Sequence, residues 1–331
     1  LESMLSKFNA ANGGTGIVMD VKSGAILGMA SYPNYDSNQY GTLYDEKLKG
    51  KLAKSLQELE QTRSTYETEE DYNAAVSKTK STAVQTQWRN KCIDSTYEPG
   101  STFKPITLAA ALEEGLVNMN STFQCNGSIT VKGWDKPINC SRKSGHGHQV
   151  LKQAVGNSCN PAFITMGLKI GTQKYYDYLK AFGLMERTNV DMIGEVPGIF
   201  APEKDFNSNV VSLASYSFGQ TFNVTPLALI RAQAACVNGG YLYEPYIVEQ
   251  VLDSQGTILI TRYLGTETLK SPIRIAFCIE QPCGTVLGTD LCAAALFLEN
   301  GFHGSGIRAA VKILVVRSYN QHLGGIVVSI G

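Results

Sequence analysis

The stretch Tyr97-Glu98-Pro99-Gly100-Ser101-Thr102-Phe103-Lys104-Pro105 sets a serine and a lysine three residues apart at the mouth of an apolar run. On a helix, side chains at that spacing share a face, with Cβ atoms about 5–6 Å apart. A serine hydroxyl is a weak nucleophile until a neighbouring base takes its proton. A lysine one turn away can be that base when burial keeps it neutral. Pro99-Gly100 breaks the preceding segment, and Ile106 to Leu112 reads as a helix that stops at Gly115. Pro105 fits only the first turn of a helix, so the helix is predicted to open close to Ser101. There the helix dipole favours a developing alkoxide, and a backbone amide can help bind an oxyanion. A second S-x-x-K, Ser77 to Lys80, lies in a polar charged run with no helix start behind it and reads as solvated surface.

Around this nucleus the chain divides by composition. Residues 14–32 read as a hairpin: Ile17 to Met19 in one strand, a turn from Asp20 to Gly24, and a return strand from Ala25 to Ala30. Residues 41–90 are rich in Lys, Glu, Gln, Thr and Tyr and poor in aliphatics, so they read as an inserted, partly helical surface excursion. Helical periodicity dominates from 101 to about 190, interrupted by a β-like patch at Phe123–Cys140. Val210 to Asn238 reads as a further helical stretch ending at Gly239-Gly240, and Tyr241 to Ile260 alternates like strands about a turn at Asp253–Gly256. Strands near both ends with helices between predict an α+β fold, an antiparallel sheet packed by helices.

Composition excludes more than it assigns. The 331 residues hold 29 Lys plus Arg and 29 Asp plus Glu, so no global field points to nucleic acid or to an anionic membrane. No uninterrupted apolar run approaches the length of a membrane span and Leu1 does not open a signal peptide, while the missing initiator Met leads one to expect an upstream portion. The cysteines Cys92, Cys125, Cys140, Cys159, Cys236, Cys278, Cys283 and Cys292 form no C-x-x-C, and none pairs with histidine at zinc-finger spacing. Cys125 and Cys140 flank a short β-like segment and read either as a disulfide of an oxidising compartment or as buried thiols. His146 and His148, without a third ligand beside them in sequence, read as loop residues next to a cleft.

Ser158-Cys159-Asn160 follows a helical run, Leu151 to Val155, and precedes Pro161-Ala162-Phe163. A short polar S-x-N at a helix–loop junction can aim a hydroxyl and an amide into a cleft. S-x-x-K followed by S-x-N resembles the first two motifs of the penicillin-recognising serine acyltransferases. Further stretches carry the likeness: Gly13 to Asp36, Arg89-Asn90, GHGHQVLKQAVGNSCNPAF, SFGQTFNVTPLAL and Val237-Asn238-Gly239-Gly240. In consistent order over about residues 10 to 260, they resemble the transpeptidase domain of class B penicillin-binding proteins, notably the division- and sporulation-associated ones of Gram-positive bacteria.

That resemblance implies an antiparallel sheet flanked by helices with an all-helical subdomain, as in penicillin-binding transpeptidases and serine β-lactamases. It implies Ser101 as the acylated nucleophile, Lys104 as its general base, Ser158 as proton relay to the leaving group, and Asn160 as the holder of the substrate's peptide carbonyl. The substrate implied is a peptidoglycan stem peptide ending in D-Ala-D-Ala. A second stem peptide's amine would resolve the acyl-enzyme into a cross-link, and β-lactams would acylate the same serine. No metal or organic cofactor is implied. Cell-wall synthesis proteins would be partners, and the work would take place on the extracytoplasmic face of the bacterial membrane, the anchor lying outside this chain. Glu98 and Asp94 read as solvated or backbone-bonded; Gln220 and Thr225 lie near the cleft by resemblance, with helix packing an equal explanation.

One departure stands out. The family's third motif, K-[ST]-G on an edge strand that pairs with the substrate peptide, belongs after Gly240 and is missing there. Lys22-Ser23-Gly24 and Lys143-Ser144-Gly145 fit its letters but precede Ser158 and read as turns. From about Arg262 the likeness stops, and the apolar runs fit neither clean helix nor clean strand periods. If each codon begins at the third base of the old one, Thr261-Arg262-Tyr263-Leu264 can spell Gln-Val-Pro, and Cys283 to Gly288 can spell Trp-Tyr-Gly-Thr-Gly, which resembles the family's text before that motif. A single-base slip in the gene or its assembly near residue 262 accounts for this. Without that motif the alternative reading is a non-catalytic module that senses β-lactams or scaffolds a cell-wall assembly.

Overall fold

The computed structural model describes residues 1–8, 13–261, 291–298 and 314–317. Strands Gly14–Asp20 and Ile26–Tyr32 pair antiparallel, with Gly14 opposite Tyr32. Their inward side is apolar: Ile17, Met19 and the following Val21 are all buried at alternate positions. The turn closes where Asp20 Oδ1 accepts the Lys22 amide at 2.7 Å and Gly24 adopts φ +80°. A Cβ on Gly24 would meet Glu244 O at 2.9 Å, so the conformation and the close approach both call for glycine. Strand Leu291–Leu298 pairs antiparallel with the other edge of the first strand, and Leu314–Arg317 pairs antiparallel beyond it. The region past 262, unreadable by period, therefore contributes two strands to the sheet. Cys278 and Cys283 lie outside the described residues.

Helix Pro226–Val237 is the core of the helical layer. Thr225 Oγ1 accepts the Ala228 amide at 3.2 Å, Pro226 occupies the first turn, and every residue from Pro226 to Cys236 is buried. It packs against the sheet and against helices Lys91–Asp94 and Lys104–Glu113. The latter ends as its sequence predicts: Gly115 takes φ +64°, its amide reaches Leu112 O at 2.9 Å, and the Leu116 amide reaches Ala111 O at 3.0 Å. The stretch 210–238 is not one helix. Val210–Tyr216 and Pro226–Val237 are separated by a loop, because Gly219 is needed in the left-handed region (φ +86°) and Pro226 starts a new helix.

Residues 123–140 form small ladders, Thr122–Cys125 with Gly147–Val150 and Ser128–Ile129 with Ile138–Asn139. Residues 41–90 fold into helices Glu46–Gln61 and Glu69–Trp88 packed on each other, the first with no buried residue and the second burying only Gln87. Gln87 ties this hairpin down, accepting the Tyr44 and Asp45 amides and donating to Thr42 O. Strands Gln250–Leu252 and Ile258–Thr261 pair about a turn in which Asp253 Oδ1 accepts the Gln255 and Thr257 amides. The fold is α+β: an antiparallel sheet flanked by helices, with a helical layer carrying the Ser101 turn. No helix among the described residues is long and apolar enough to cross a membrane.

Candidate active site

Gly100–Phe103 is one turn of 3₁₀-helix that runs directly into the α-helix Lys104–Glu113, with Pro105 in its first turn. Ser101 thus sits at the helix opening and is exposed, while Lys104 is 3% exposed. The turn is held from three sides. Gly100 N–H donates to Gly219 O at 2.7 Å, Gln233 Nε2 donates to Thr102 O at 2.6 Å, and the Phe103 ring packs edge-on against Phe222 at 4.8 Å. Tyr97 and Val224 exchange backbone hydrogen bonds just upstream.

Ser158 and Asn160 come to the same place from the other wall. Helix Leu151–Gly156 ends, Ser158 takes φ +47°, and helix Asn160–Ile170 begins with Pro161 in its first turn. A serine in the left-handed region is strained, and it turns its hydroxyl back toward the Ser101 helix. Lys104 Nζ donates to Ser158 O at 2.7 Å and lies 2.9 Å from Ser158 Oγ, 2.7 Å from Asn160 Oδ1 and 3.1 Å from Ser101 Oγ. Asn160 Nδ2 donates to Asn139 O at 3.0 Å, which ties the S-x-N turn to the small Ile138–Asn139 ladder. All four residues singled out by sequence are therefore brought together around one amine.

Burial of Lys104 lowers its ammonium to about 8, partly opposed by the nearby Cys140 and Cys159 sulfurs. Its nitrogen also lies over the Phe163 ring at 5.2 Å. A buried amine near neutrality, touching an exposed hydroxyl at a helix opening, can take that hydroxyl's proton. A second hydroxyl on the same amine can pass the proton onward.

The lesser residues separate cleanly. Glu98 Oε1 accepts the Thr221 amide at 2.9 Å and Asp94 Oδ2 accepts Arg89 Nε at 2.8 Å, so both are structural partners. Thr225 is the cap of the central helix, and Gln220 is exposed. Ser77 and Lys80 are exposed on the inserted hairpin. Both K-S-G triplets, Lys22-Ser23-Gly24 and Lys143-Ser144-Gly145, lie in turns. Sequence reading missed Gln233 and Gly219, which hold the Ser101 turn from a distance; no local signal marks them, since each acts across a long chain separation. It also missed that Cys125, Cys140, His146 and Cys159 converge behind Asn160. Cys125 and Cys140 are free thiols.

The family model described as "Penicillin binding protein transpeptidase domain" matches residues 14–273. Stage V sporulation protein D of Bacillus subtilis is 37% identical over 72% of this chain and 30% of its own length. The Peptidoglycan D,D-transpeptidase FtsI homolog of Mesostigma viride is 28% identical over 78% of this chain and 37% of its own. The chain spans about a third of the length of the curated relatives it matches. Among solved structures, the D,D-transpeptidase domain of a peptidoglycan glycosyltransferase from Eggerthella lenta aligns with TM-score 0.60 at 21% identity, over 79% of this chain and 58% of that one. Penicillin binding protein 3 of Mycobacterium tuberculosis, solved with aztreonam, aligns with TM-score 0.58 at 23% identity, over 79% of this chain and 48% of that one. Likeness at that level concerns the fold.

Proposed function

We propose a function from one premise: this chain belongs to the penicillin-binding protein transpeptidase family. It is a serine D,D-transpeptidase domain that cross-links peptidoglycan stem peptides and binds β-lactams. The observation that carries the reading is the Lys104 amine in contact with the Oγ atoms of both Ser101 and Ser158.

Ser101 Oγ attacks the carbonyl between the terminal D-Ala residues of a stem peptide while neutral Lys104 Nζ accepts its proton. A backbone amide at the helix opening can help bind the oxyanion that forms. Ser158 Oγ passes the proton to the departing D-Ala amine, and Asn160 Nδ2 holds the substrate's peptide carbonyl. The amine of a second stem peptide then attacks the Ser101 ester, forms the cross-link and returns the proton. A β-lactam follows the first half, but its leaving amine stays tethered in the opened ring, so the ester persists. Relatives carry the names of D,D-transpeptidases and of a sporulation protein, which favours this over the sensing or scaffold reading. The work fits the outer face of the bacterial membrane beside other cell-wall synthesis proteins.

Fluorescent penicillin tests the reading. Labelling of the chain that vanishes in Ser101→Ala, with mass addition on the peptide containing Ser101, supports it. Labelling that persists in Ser101→Ala, or none in the intact protein, overturns it. Release of D-Ala from a stem pentapeptide, followed by dimer formation with an acceptor amine, separates cross-linking from hydrolysis. The absent K-[ST]-G after Gly240 bears on this: we assign 262–331 to a single-base slip, with the substrate-anchoring lysine belonging to the corrected frame.

A further inference from the structure

The inserted hairpin carries a charge pattern that the chemistry of Ser101 does not use. Helices Glu46–Gln61 and Glu69–Trp88 pack on each other and make no comparable contact with any element outside the hairpin among the described residues. The first has no buried residue and the second buries only Gln87. Their sides are therefore open to a partner.

Charge is sorted along the hairpin. From Glu58 to Asp71, around the turn, six carboxylates stand against one cation, Arg63. From Lys47 to Lys54 and from Lys78 to Lys80 there are six lysines and no acid. At a rise of about 1.5 Å per residue, the acids lie within about 5 Å of the turn and the lysines about 10–21 Å from it. A short turn joins the two packed helices, so they run antiparallel, and Lys51 comes level with Lys80 and Lys54 with Lys78.

Little of this charge is compensated within the chain. Lys49 pairs with Glu46 at 2.6 Å, and Arg63 pairs with Glu60 at 3.4 Å and Glu69 at 2.7 Å. Among the described residues, Lys51, Lys54, Lys78, Lys80, Glu58 and Glu70 make no ion pair. On the first helix the order also opposes the macrodipole, with Lys47 and Lys49 in the first turn and Glu58 and Glu60 in the last. Solvation accounts for a charged surface, but not for two blocks of opposite sign set against the dipole.

We propose that this hairpin is a self-association surface, on which two copies of the chain pair antiparallel about a two-fold axis. Each acidic tip lies on the lysine band of the other copy, so one closed contact neutralises both blocks twice. A polyanion would neutralise the lysines but be repelled by the carboxylates beside them; a second copy satisfies both. The contact is exposed and weakens as salt screens it. It stands independently of the reaction proposed for Ser101.

The test is sedimentation equilibrium of the intact protein at about 50 mM and about 500 mM salt. A monomer–dimer equilibrium is expected, with a dissociation constant at least about tenfold higher in the saltier buffer. Two variants each reverse one block at exposed positions. One combines Lys51→Glu, Lys54→Glu, Lys78→Glu and Lys80→Glu; the other combines Glu58→Lys, Glu67→Lys and Glu70→Lys. Circular dichroism checks that both are folded. Either alone should dimerise at least about tenfold more weakly than the parent, and an equimolar mixture should restore association as a heterodimer. A parent that stays monomeric at low salt up to about 0.5 mM, a dimer indifferent to both reversals, or a mixture that stays monomeric overturns the proposal. So does binding of inorganic polyphosphate by a protein that remains monomeric.

Discussion

Gly219 lies against Gly100 so closely that its carbonyl accepts the Gly100 amide at 2.7 Å, and a Cβ on Gly219 would fall 1.9 Å from Gly100 O. Gly219 also holds φ +86°. Gly219→Ala therefore meets backbone atoms that cannot swing away, in a conformation that disfavours any side chain. The strained backbone alone should cost roughly 1–3 kcal/mol. Thermal unfolding should show a lowered Tm, and penicillin acylation should slow because the Ser101 turn hangs from this contact. An unchanged Tm would mean that the two glycines do not touch.

Removing the amine should slow chemistry more than it weakens binding. Lys104→Ala leaves Ser101 in place but takes away the group 3.1 Å from its hydroxyl. Acylation should fall by roughly 10²–10⁴-fold, the usual contribution of a positioned base. Saturation kinetics with a chromogenic β-lactam checks this. A loss confined to the saturation constant would remove Lys104 from the base's role.

The pH dependence has a definite sign. Burial lowers Lys104 from 10.5 to about 8, and below that value the nitrogen keeps its proton and cannot take another. Acylation should climb from about pH 6 to about pH 9, reaching its midpoint near about 8. A profile flat across that range would point to another base. Stability follows by linkage: between about 8 and 10.5 the unfolded chain binds the proton and the folded chain does not, so unfolding free energy rises with pH through that window.

Gln87 predicts a local effect. Its side chain accepts the Tyr44 and Asp45 amides and donates to Thr42 O. Gln87→Ala orphans those groups at a cost of roughly 1–3 kcal/mol. Hydrogen exchange should speed at the Tyr44 and Asp45 amides while penicillin acylation stays unchanged. Slowed acylation would instead tie the inserted hairpin to the cleft.

Genomic reads across the codons around Arg262 should reveal a one-base insertion or deletion. The corrected frame should give Trp-Tyr-Gly-Thr-Gly in place of Cys283 to Gly288 and, around Lys312, a lysine separated by one residue from Thr/Ser-Gly. Reads that match the present text throughout would dispose of the slip.

The elements that local chemistry encodes are legible in the sequence. The hairpin at 14–32 announced itself by alternation and a turn, and the Ser101 helix by its proline and its stop at Gly115. The stretch 210–238 misled because its apolar periodicity runs through Gly219 and Pro226, and periodicity alone does not register a break that tertiary contact enforces. The strands at Leu291–Leu298 and Leu314–Arg317 were hidden for a related reason: without clean alternation, the sheet edge they join identifies them.

By itself the sequence determined which groups could react: a hydroxyl and an amine three residues apart share a helical face wherever that helix lies, since the spacing is covalent. Only the tertiary structure decided that Lys104 is buried, that Ser158 and Asn160 reach it across more than fifty residues, and that three scattered cysteines and His146 share one point. Desolvation and convergence depend on what packs around a group, and packing is a property of the whole chain.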